Sequence, residues 1–331
     1  MQKTLFNLIQ QYRTISISGM CKNAGKTTTL NNLIQNTPHS EILALTSIGR
    51  DGESVDTVTQ THKPGIYIRE GSLFATAQDL LQYCDVTKEI IENTNIATPL
   101  GRIVLIRALS DGHVQLAGPS TVQQLVLIKE MFKTFGADRI FIDGAVGRKS
   151  LCSRSLANAS ILCTGASYNK SLDETIADTA FVCNLLMTEE MTEIKTLIDV
   201  EHLSQKYALM GKDISCYPDS SDMSKILKQA KDAKYLYVEG AITDSFLKSM
   251  IRFGFPKGLI FVTRDASKLL ITEETQRKLV ARDGRFGVLE RINLAAITIN
   301  PYSAYGGHFD AQEFITKMSE AVSIPVINPM R

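Results

Sequence analysis

The sequence predicts an α/β protein with a mostly parallel, doubly wound sheet and, after it, a second α/β unit. Three observations predict it. Short apolar, β-rich runs alternate with helix-compatible stretches along most of the 331 residues, the pattern of strand–helix–strand crossovers. The first such crossover carries a glycine-bounded loop, Gly19–Thr27 (GMCKNAGKT), between the strand Thr14–Ser18 and the helix Thr28–Gln35. Apolar residues make up 44%, enough for a full core, and 36 Lys+Arg against 35 Asp+Glu leave no basic field of the kind that nucleic-acid binders carry.

The loop sets the chemistry. Glycines let successive backbone N–H groups point inward at phosphate oxygens, and the helix that follows offers its positive end. A strand, a glycine-bounded loop and a helix opening on Gly-Lys-Thr form the phosphate cradle of a P-loop NTPase. Gly19, Asn23, Ala24, Gly25, Lys26, Thr27 and Thr28 are therefore candidates for nucleotide binding. Lys26 would reach the β- and γ-phosphates as a catalytic cation, and the Thr27 hydroxyl would ligate Mg²⁺. Met20 occupies the usual first glycine position, so five residues separate Gly19 from Gly25.

The remaining elements follow in order. Ile42–Thr46 (ILALT) is a strand, and the loop Ser47–Asp56 after it offers Arg50 and the carboxylates of Asp51, Glu53 and Asp56. Asp51 is a candidate catalytic residue that would orient water or Mg²⁺. Ile66–Ile68 is a short strand, and Phe74–Gln82 reads as a helix. Ile103–Ala108 and His113–Ala117 flank Asp111-Gly112, the dipeptide of a tight hairpin. Gly118-Pro119-Ser120 suits either a turn and cap or a set of N–H groups for a second ligand, and Ser120 or Thr121 caps a helix to about Phe135. Arg139–Ile142 is a strand that delivers Asp143 and Gly144 to its tip. A P-loop needs such a strand-end carboxylate for its Mg²⁺ water shell, so Asp143 is assigned to metal and catalysis and Gly144 to the nucleotide. Arg148, Lys149 and Ser150 lie just beyond, either as phosphate-neutralising groups or as a solvated loop. Ala159–Cys163 and a helix from about Leu172 to Met187 complete a P-loop domain of residues 1–190.

The second unit, residues 191–331, alternates again. Its strands are expected at Tyr235–Val238, Leu259–Val262, Ala295–Ile299 and Pro325–Ile327, and its helices near 222–231, 243–252, 271–281 and 310–321. Glu239, Arg264-Asp265 and Asn300-Pro301 each follow a strand and, with Gly306-Gly307-His308 beyond the last, are candidates to line a second pocket. His308 alone reads more as a loop histidine than a catalyst. RIFIDGAV at Arg139–Val146 and YLYVEGAI at Tyr235–Ile242 form an internal echo, either of a duplication or of a shared strand-to-turn preference. A guanine-reading Asn-Lys-x-Asp is missed by one place in Asn169-Lys170-Ser171-Leu172-Asp173, which favours ATP over GTP.

Six cysteines lie scattered without a CxxC pair and the N-terminus lacks a secretory apolar core, so reduced thiols and a cytoplasmic location are expected. No run approaches the ~18 apolar residues of a membrane span.

The long loop resembles that of dethiobiotin synthetase, of the same branch as MinD, ParA and the cobalamin-linked GTPases, and acid-Gly-Ala at Asp143 is similar to that enzyme's strand end. The branch often has a second lysine five places before the loop lysine, where this chain has Cys21, with Lys22 one place later. GMCKNAGKTTTLN (Gly19–Asn31), LTSIGRDGE (Leu45–Glu53), TPLGRIVLIRALSDG (Thr98–Gly112), IDGAVGRKS (Ile142–Ser150) and ILCTGAS (Ile161–Ser167) together resemble the small P-loop subunits of reactivases for adenosylcobalamin-dependent lysine 5,6-aminomutase. That resemblance covers about the first 190 residues. It implies an ATP- and Mg²⁺-dependent accessory factor that helps exchange a damaged cobalamin. Its partners would be an ATPase companion subunit and the aminomutase subunits, and the loops Ser47–Asp56 and Gly144–Ser150 would act as switches. The resemblance to that branch, in which symmetric dimers around the nucleotide are common, implies a homodimer. The competing expectation is a dethiobiotin-synthetase-like ligase or kinase acting on a small molecule.

Overall fold

The structure, a computed structural model, describes residues 4–49, 65–146, 152–195, 203, 205–211, 215–216 and 223–330. The chain forms two compact units, Met1–Cys183 with Asn293–Arg331, and Asn184–Ile292.

The first unit opens with α1 (Leu5–Ile9), capped by Thr4, whose hydroxyl accepts from Asn7 N at 3.3 Å. Then come β1 (Thr14–Gly19), α2 (Lys26–Asn36), β2 (Leu43–Ser47), β3 (Ile66–Ile68) and β4 (Leu73–Ala77). A short 3₁₀ turn, Gln78–Tyr83, leads to β5 (Lys88–Thr98), β6 (Gly101–Ala108), β7 (Gly112–Val114) and α3 (Val122–Thr134). β8 (Arg139–Val146), β9 (Ala159–Gly165) and α4 (Leu172–Leu186) follow. The second unit adds α5 (Thr192–Lys195), β10 (Tyr207–Met210), β11 (Ser215–Cys216), α6 (Met223–Gln229), β12 (Tyr235–Val238), β13 (Ile242–Thr243), α7 (Asp244–Phe253), β14 (Ile260–Thr263), β15 (Leu269–Leu270), α8 (Glu273–Val280) and β16 (Arg285–Val288). The chain then returns to the first unit with β17 (Leu294–Asn300), α9 (Ala311–Ala321) and β18 (Val326–Ile327).

Nine described strands form one sheet in the order β18-β17-β9-β1-β8-β2-β4-β6-β5. All pairings from β18 to β4 are parallel, while β6 runs antiparallel to both β4 and β5. The central strands are apolar on both faces because each face is covered. Ile15, Ile17 and Phe141 pack in one cluster with Leu30, Leu33 and Ile34 of α2. Ile140 and Ile142 face the other way, into a cluster with Leu125, Ile128 and Phe132 of α3. Thr121 caps α3, its hydroxyl accepting from Gln124 N at 3.2 Å, one of the two caps the sequence offers.

At the amino-terminal edge of this sheet, Arg139 is buried and staples α1 to β8. Its guanidinium meets Glu41 through Nε–Oε2 at 2.6 Å and Nη2–Oε1 at 3.0 Å, donates to the carbonyls of Gln10 and Tyr12, and lies over the Phe6 ring.

In the second unit a separate five-stranded sheet runs β11-β10-β12-β14-β16, with β12, β14 and β16 parallel. Ala208, Tyr237, Val262 and Ile194 lie in its core. Tyr237 donates its hydroxyl to Glu239 at the end of β12.

Three expectations from sequence are corrected here. Phe74–Gln82 is not one α-helix: residues 73–77 form β4, whose five side chains are all buried between β2 and β6, and only the second half is helical, as the 3₁₀ turn Gln78–Tyr83. A strand buried on both faces shows no alternation, so its period resembles a helix segment. Second, β6 and β7 do not form a hairpin. β6 turns back on β5, and β7 pairs with β3. The Asp111 carboxylate instead ties that turn to β3, accepting from Glu70 N at 2.8 Å and Tyr67 OH at 3.0 Å. Third, the division differs from a single cut after residue 190: β17 and β18 belong to the first sheet, alongside β9.

Candidate functional site

β1 lies at the centre of the large sheet, between β8 and β9. From β1 the chain runs outward through α2 to β2 and β4, comes back at β8, and crosses to β9 on the far side. Connections that diverge from a central strand leave a crevice at its carboxyl end, which is where open α/β sheets receive ligands. Five chain segments meet at this end: the loop after β1, and the tips of β8, β2, β9 and β17.

The loop after β1 is built as a cradle. Gly25 precedes α2 in the left-handed region (φ 91°) and gives the helix no side-chain cap, so the first-turn amides have no side-chain acceptor there. Asn23 is also left-handed, at φ 59°, and its buried Nδ2 has no hydrogen-bond partner among the described residues. Ala24 is buried; Lys26, Thr27 and Thr28 are half-buried on the first turn of α2. The Lys26 stem crosses back over Gly19: a Cβ at Gly19 would lie 3.1 Å from Lys26 Cδ. An orphaned amide donor, a cation folded over the loop and an uncapped helix start all suit an anionic oxygen cluster.

Asp143 sits beside this cradle. β8 pairs directly with β1, placing Asp143 opposite Ile17, and on its other side opposite Ser47 of β2. Its side chain is buried, as is Gly144. Its carbonyl accepts from Ile48 N at 3.1 Å, which pins the start of the Ser47–Asp56 loop. Gly118 N donates to Ser47 Oγ at 3.0 Å and Gly49 N donates to Pro119 O at 2.9 Å. Gly118-Pro119 thus serves as a buttress for that loop, and the Gly118 N–H is engaged within the protein.

Asn300, at the end of β17, is a member of this site that sequence reasoning placed elsewhere. Its Nδ2 donates to Asn23 O at 3.0 Å, and a Cβ at Gly25 would meet Asn300 Cβ at 3.1 Å. Ala166 N donates to Asn300 O at 2.9 Å, closing the tip of β9 onto β17. The available signal was an Asn at an apolar strand's end; the sheet partner of that strand was not legible.

Beneath the loop lies a buried polar layer. Thr29 and Thr298 hydroxyls meet at 2.9 Å, Cys163 Sγ is 3.6 Å from Thr29 Oγ1, and the Ser16 and Ser160 hydroxyls meet at 2.8 Å. Burial pushes the Cys163 thiol up, against the opposing pull of the Thr298 and Thr29 hydroxyls and the Lys26 ammonium. Burial likewise pushes Cys21 up to about 11, with Lys26 opposing it, so the loop thiol is neutral at pH 7. Tyr168 is raised to about 12 by burial and by its bond to Asp178 at 2.9 Å.

The other sequence candidates are distributed as follows. Arg50, Asp51, Glu53, Asp56, Arg148, Lys149 and Ser150 lie outside the described residues. Asn169 bonds Glu174 and accepts from Ser171 N, and Asp173 pairs with Lys317 at 3.0 Å. Those contacts organise the start of α4. Glu239, Arg264 and Asp265 belong to the second unit, whereas Asn300 and His308 belong to the first. His308 is exposed and forms a backbone bridge with Tyr302. Among the described residues no group of three or more His, Cys, Asp or Glu is arranged to hold a metal. Mg²⁺ does not require one: it keeps several waters and takes one or two protein oxygens plus phosphates, and Thr27 and Asp143 supply donors of that kind. Among the described residues no helix is long and apolar enough to cross a membrane.

Comparison with family models, with curated proteins and with solved structures finds no match for this chain.

Proposed function

We propose that this chain is a P-loop protein that binds ATP with Mg²⁺ and serves as an accessory factor in reactivating a cobalamin-dependent aminomutase by cofactor exchange. One observation carries the nucleotide part: the Gly25-started helix, with Lys26 folded over Gly19, stands beside a buried Asp143 on the adjacent parallel strand. The aminomutase part is supported by the sequence resemblance of the first 190 residues.

In this reading the backbone N–H groups of Asn23–Thr28 and the Asn23 amide bind phosphate oxygens, and Lys26 neutralises charge at the terminal phosphates. The Thr27 hydroxyl and the Asp143 carboxylate hold the metal and its water shell. Bound Mg·ATP would supply the γ-phosphate whose presence or loss is the switch signal. Ser47–Gly49, pinned to Asp143 O and Pro119 O, fixes the root of one switch loop, and Gly144 the root of the other. The role requires slow turnover that an ATPase companion subunit or the aminomutase subunits alter; small-molecule transfer would need a substrate instead.

Calorimetric titration of ATP and GTP with Mg²⁺ tests this on wild type and Lys26→Ala. Micromolar ATP binding lost in the variant supports the site. Hydrolysis stimulated by aminomutase subunits supports the accessory role, and absence of any nucleotide binding sinks the reading.

A further inference from the structure

The second unit gathers unpaired positive charge at one end of its sheet. β12, β14 and β16 start level with one another, Tyr235 opposite Ile260 and Ile260 opposite Arg285. Each is entered from a helix, α6, α7 or α8, so three helix ends and their connecting loops lie side by side there. Ile260 N donates to Lys234 O at 2.9 Å and Arg285 N to Leu259 O at 3.2 Å, which holds neighbouring loops together.

Lys231, Arg252, Lys257 and Arg285 stand exposed on this end, and none forms an ion pair among the described residues. Elsewhere in the unit cations are paired: Arg277 with Glu273 and Lys278 with Glu274 along α8, and Lys234 with Glu193 at 3.2 Å. The negative end of α7 accounts for a cation such as Arg252 in its last turn. It does not account for Lys231 and Lys257, which lie past the helices, or for Arg285 on a strand. The whole chain carries a formal net charge of only +1, so the concentration is local.

The same end exposes apolar surface. Phe253 closes α7 and is 58% exposed; Val280 closes α8 and is 57% exposed. The core face of these helices is already filled by Leu247, Met250 and Leu279. Arg282 Nη1 donates to Ile251 O at 2.6 Å and Gly258 N to Asp283 O at 3.1 Å. These bonds tie the ends of α7 and α8 together, so both apolar side chains emerge on one surface. Apolar side chains rimmed by unpaired charge mark contact sites.

Resting on the accessory-factor reading above, we propose that this end of the second unit is the docking face for a partner protein with an acidic surface. The partner sets carboxylates against Lys231, Arg252, Lys257 and Arg285 and an apolar side chain against Phe253 and Val280. Such an interface joins an apolar anchor to a charged rim that steers encounter. Asp232 and Asp283 stand exposed among the cations. A DNA duplex or an anionic bilayer, negative throughout, would be repelled by both, whereas a folded protein can place a donor opposite each.

The test uses the whole chain with Mg·ATP, and purified aminomutase subunits and ATPase companion subunit as probes, by analytical ultracentrifugation. Wild type is expected to bind one of them, less tightly as salt rises. Lys257→Glu/Arg285→Glu is expected to weaken that binding by about tenfold or more. Phe253→Ser is expected to weaken it by about tenfold while keeping the salt dependence. Melting temperature and ATP titration should be unchanged in both variants, because the altered side chains are exposed. Equal binding by wild type and the charge-reversed variant overturns the docking face and leaves the accessory reading standing. A wild type that binds neither probe overturns the accessory reading and this proposal with it. Phosphatidylglycerol vesicles or a DNA duplex bound more tightly than either protein, and released by the same variants, overturn the assignment to a protein partner.

Discussion

The hydroxyls of Thr29 and Thr298 meet at 2.9 Å under the glycine loop, joining the first turns of α2 to a strand 269 positions later. Both residues are almost fully buried, so water cannot replace either partner. Thr298→Val keeps the shape and removes the hydroxyl, leaving Thr29 Oγ1 with the weak Cys163 thiol contact. The expected cost is about 1–2 kcal/mol, read as a lower urea midpoint at unchanged slope. A neutral result would mean that the pair contributes nothing net.

The Arg139–Glu41 staple should be much more sensitive. Arg139→Ala leaves Glu41 and the Gln10 and Tyr12 carbonyls without their shared donor; with the Glu41 side chain 25% exposed, the cost falls below the ~3–5 kcal/mol of a fully buried pair. Lysine should rescue little of this, since it cannot match the two-point geometry of 2.6 and 3.0 Å. Thermal melts of Arg139→Ala and Arg139→Lys check both points; near-equal stability of Lys and wild type would refute the bidentate argument.

Two glycine substitutions should separate binding from folding. Gly25→Ala forces a left-handed φ of 91° and drives a methyl toward Asn300 Cβ at 3.1 Å. ATP binding is expected to disappear. Gly19→Ala meets the flexible Lys26 stem at 3.1 Å, which can shift aside, and the Cys21 carbonyl at 3.3 Å, which needs only a small adjustment of the loop. Binding should therefore weaken by about tenfold while the melting temperature moves little. Titration and melting of the two variants together read the difference.

The cysteine shifts predict alkaline lability. Burial raises the folded-state thiols of Cys21 and Cys183 from 9.0 to about 11. Below 9 both states are protonated and the stability is fully present; as pH climbs from 9 to 11 the unfolded chain ionises first, and stability is lost. Urea midpoints should therefore fall between pH 9 and 11. At pH 8, iodoacetamide should label Cys21 far more slowly in folded than in unfolded protein, which peptide mass spectrometry resolves. A fast-reacting Cys21 at pH 8 would contradict the assigned environment.

The strand–loop–helix order around Gly25 was legible because its information is local. Strand, glycines, lysine and helix are adjacent in sequence, and the structure places β1, Gly25 and α2 in that order. Asp143 was legible for the same reason, as the acid that ends an apolar run. Sheet membership is a long-range property, so Asn300 was assigned to the wrong unit even though β17 itself was expected within a residue or so. β5 was missed because KEIIENTNIAT is an edge strand, mostly exposed and poor in apolar alternation. Asp111-Gly112 misled because a favourable turn pair was used to join β7 to β3, where side-chain bonds from Tyr67 and backbone bonds from Glu70 decide the geometry.

The return of β17 to the side of β9 matters most while the protein is being made. A nascent chain cannot bring Thr298 to Thr29, or Asn300 to Asn23, until residues 294–300 have left the ribosome. Throughout translation of Asn184–Ile292, β9 presents a free, apolar strand edge to everything around it. That interval, rather than any weakness of the finished fold, is when the chain is most exposed to mispairing, and slow elongation through the inserted unit would lengthen it.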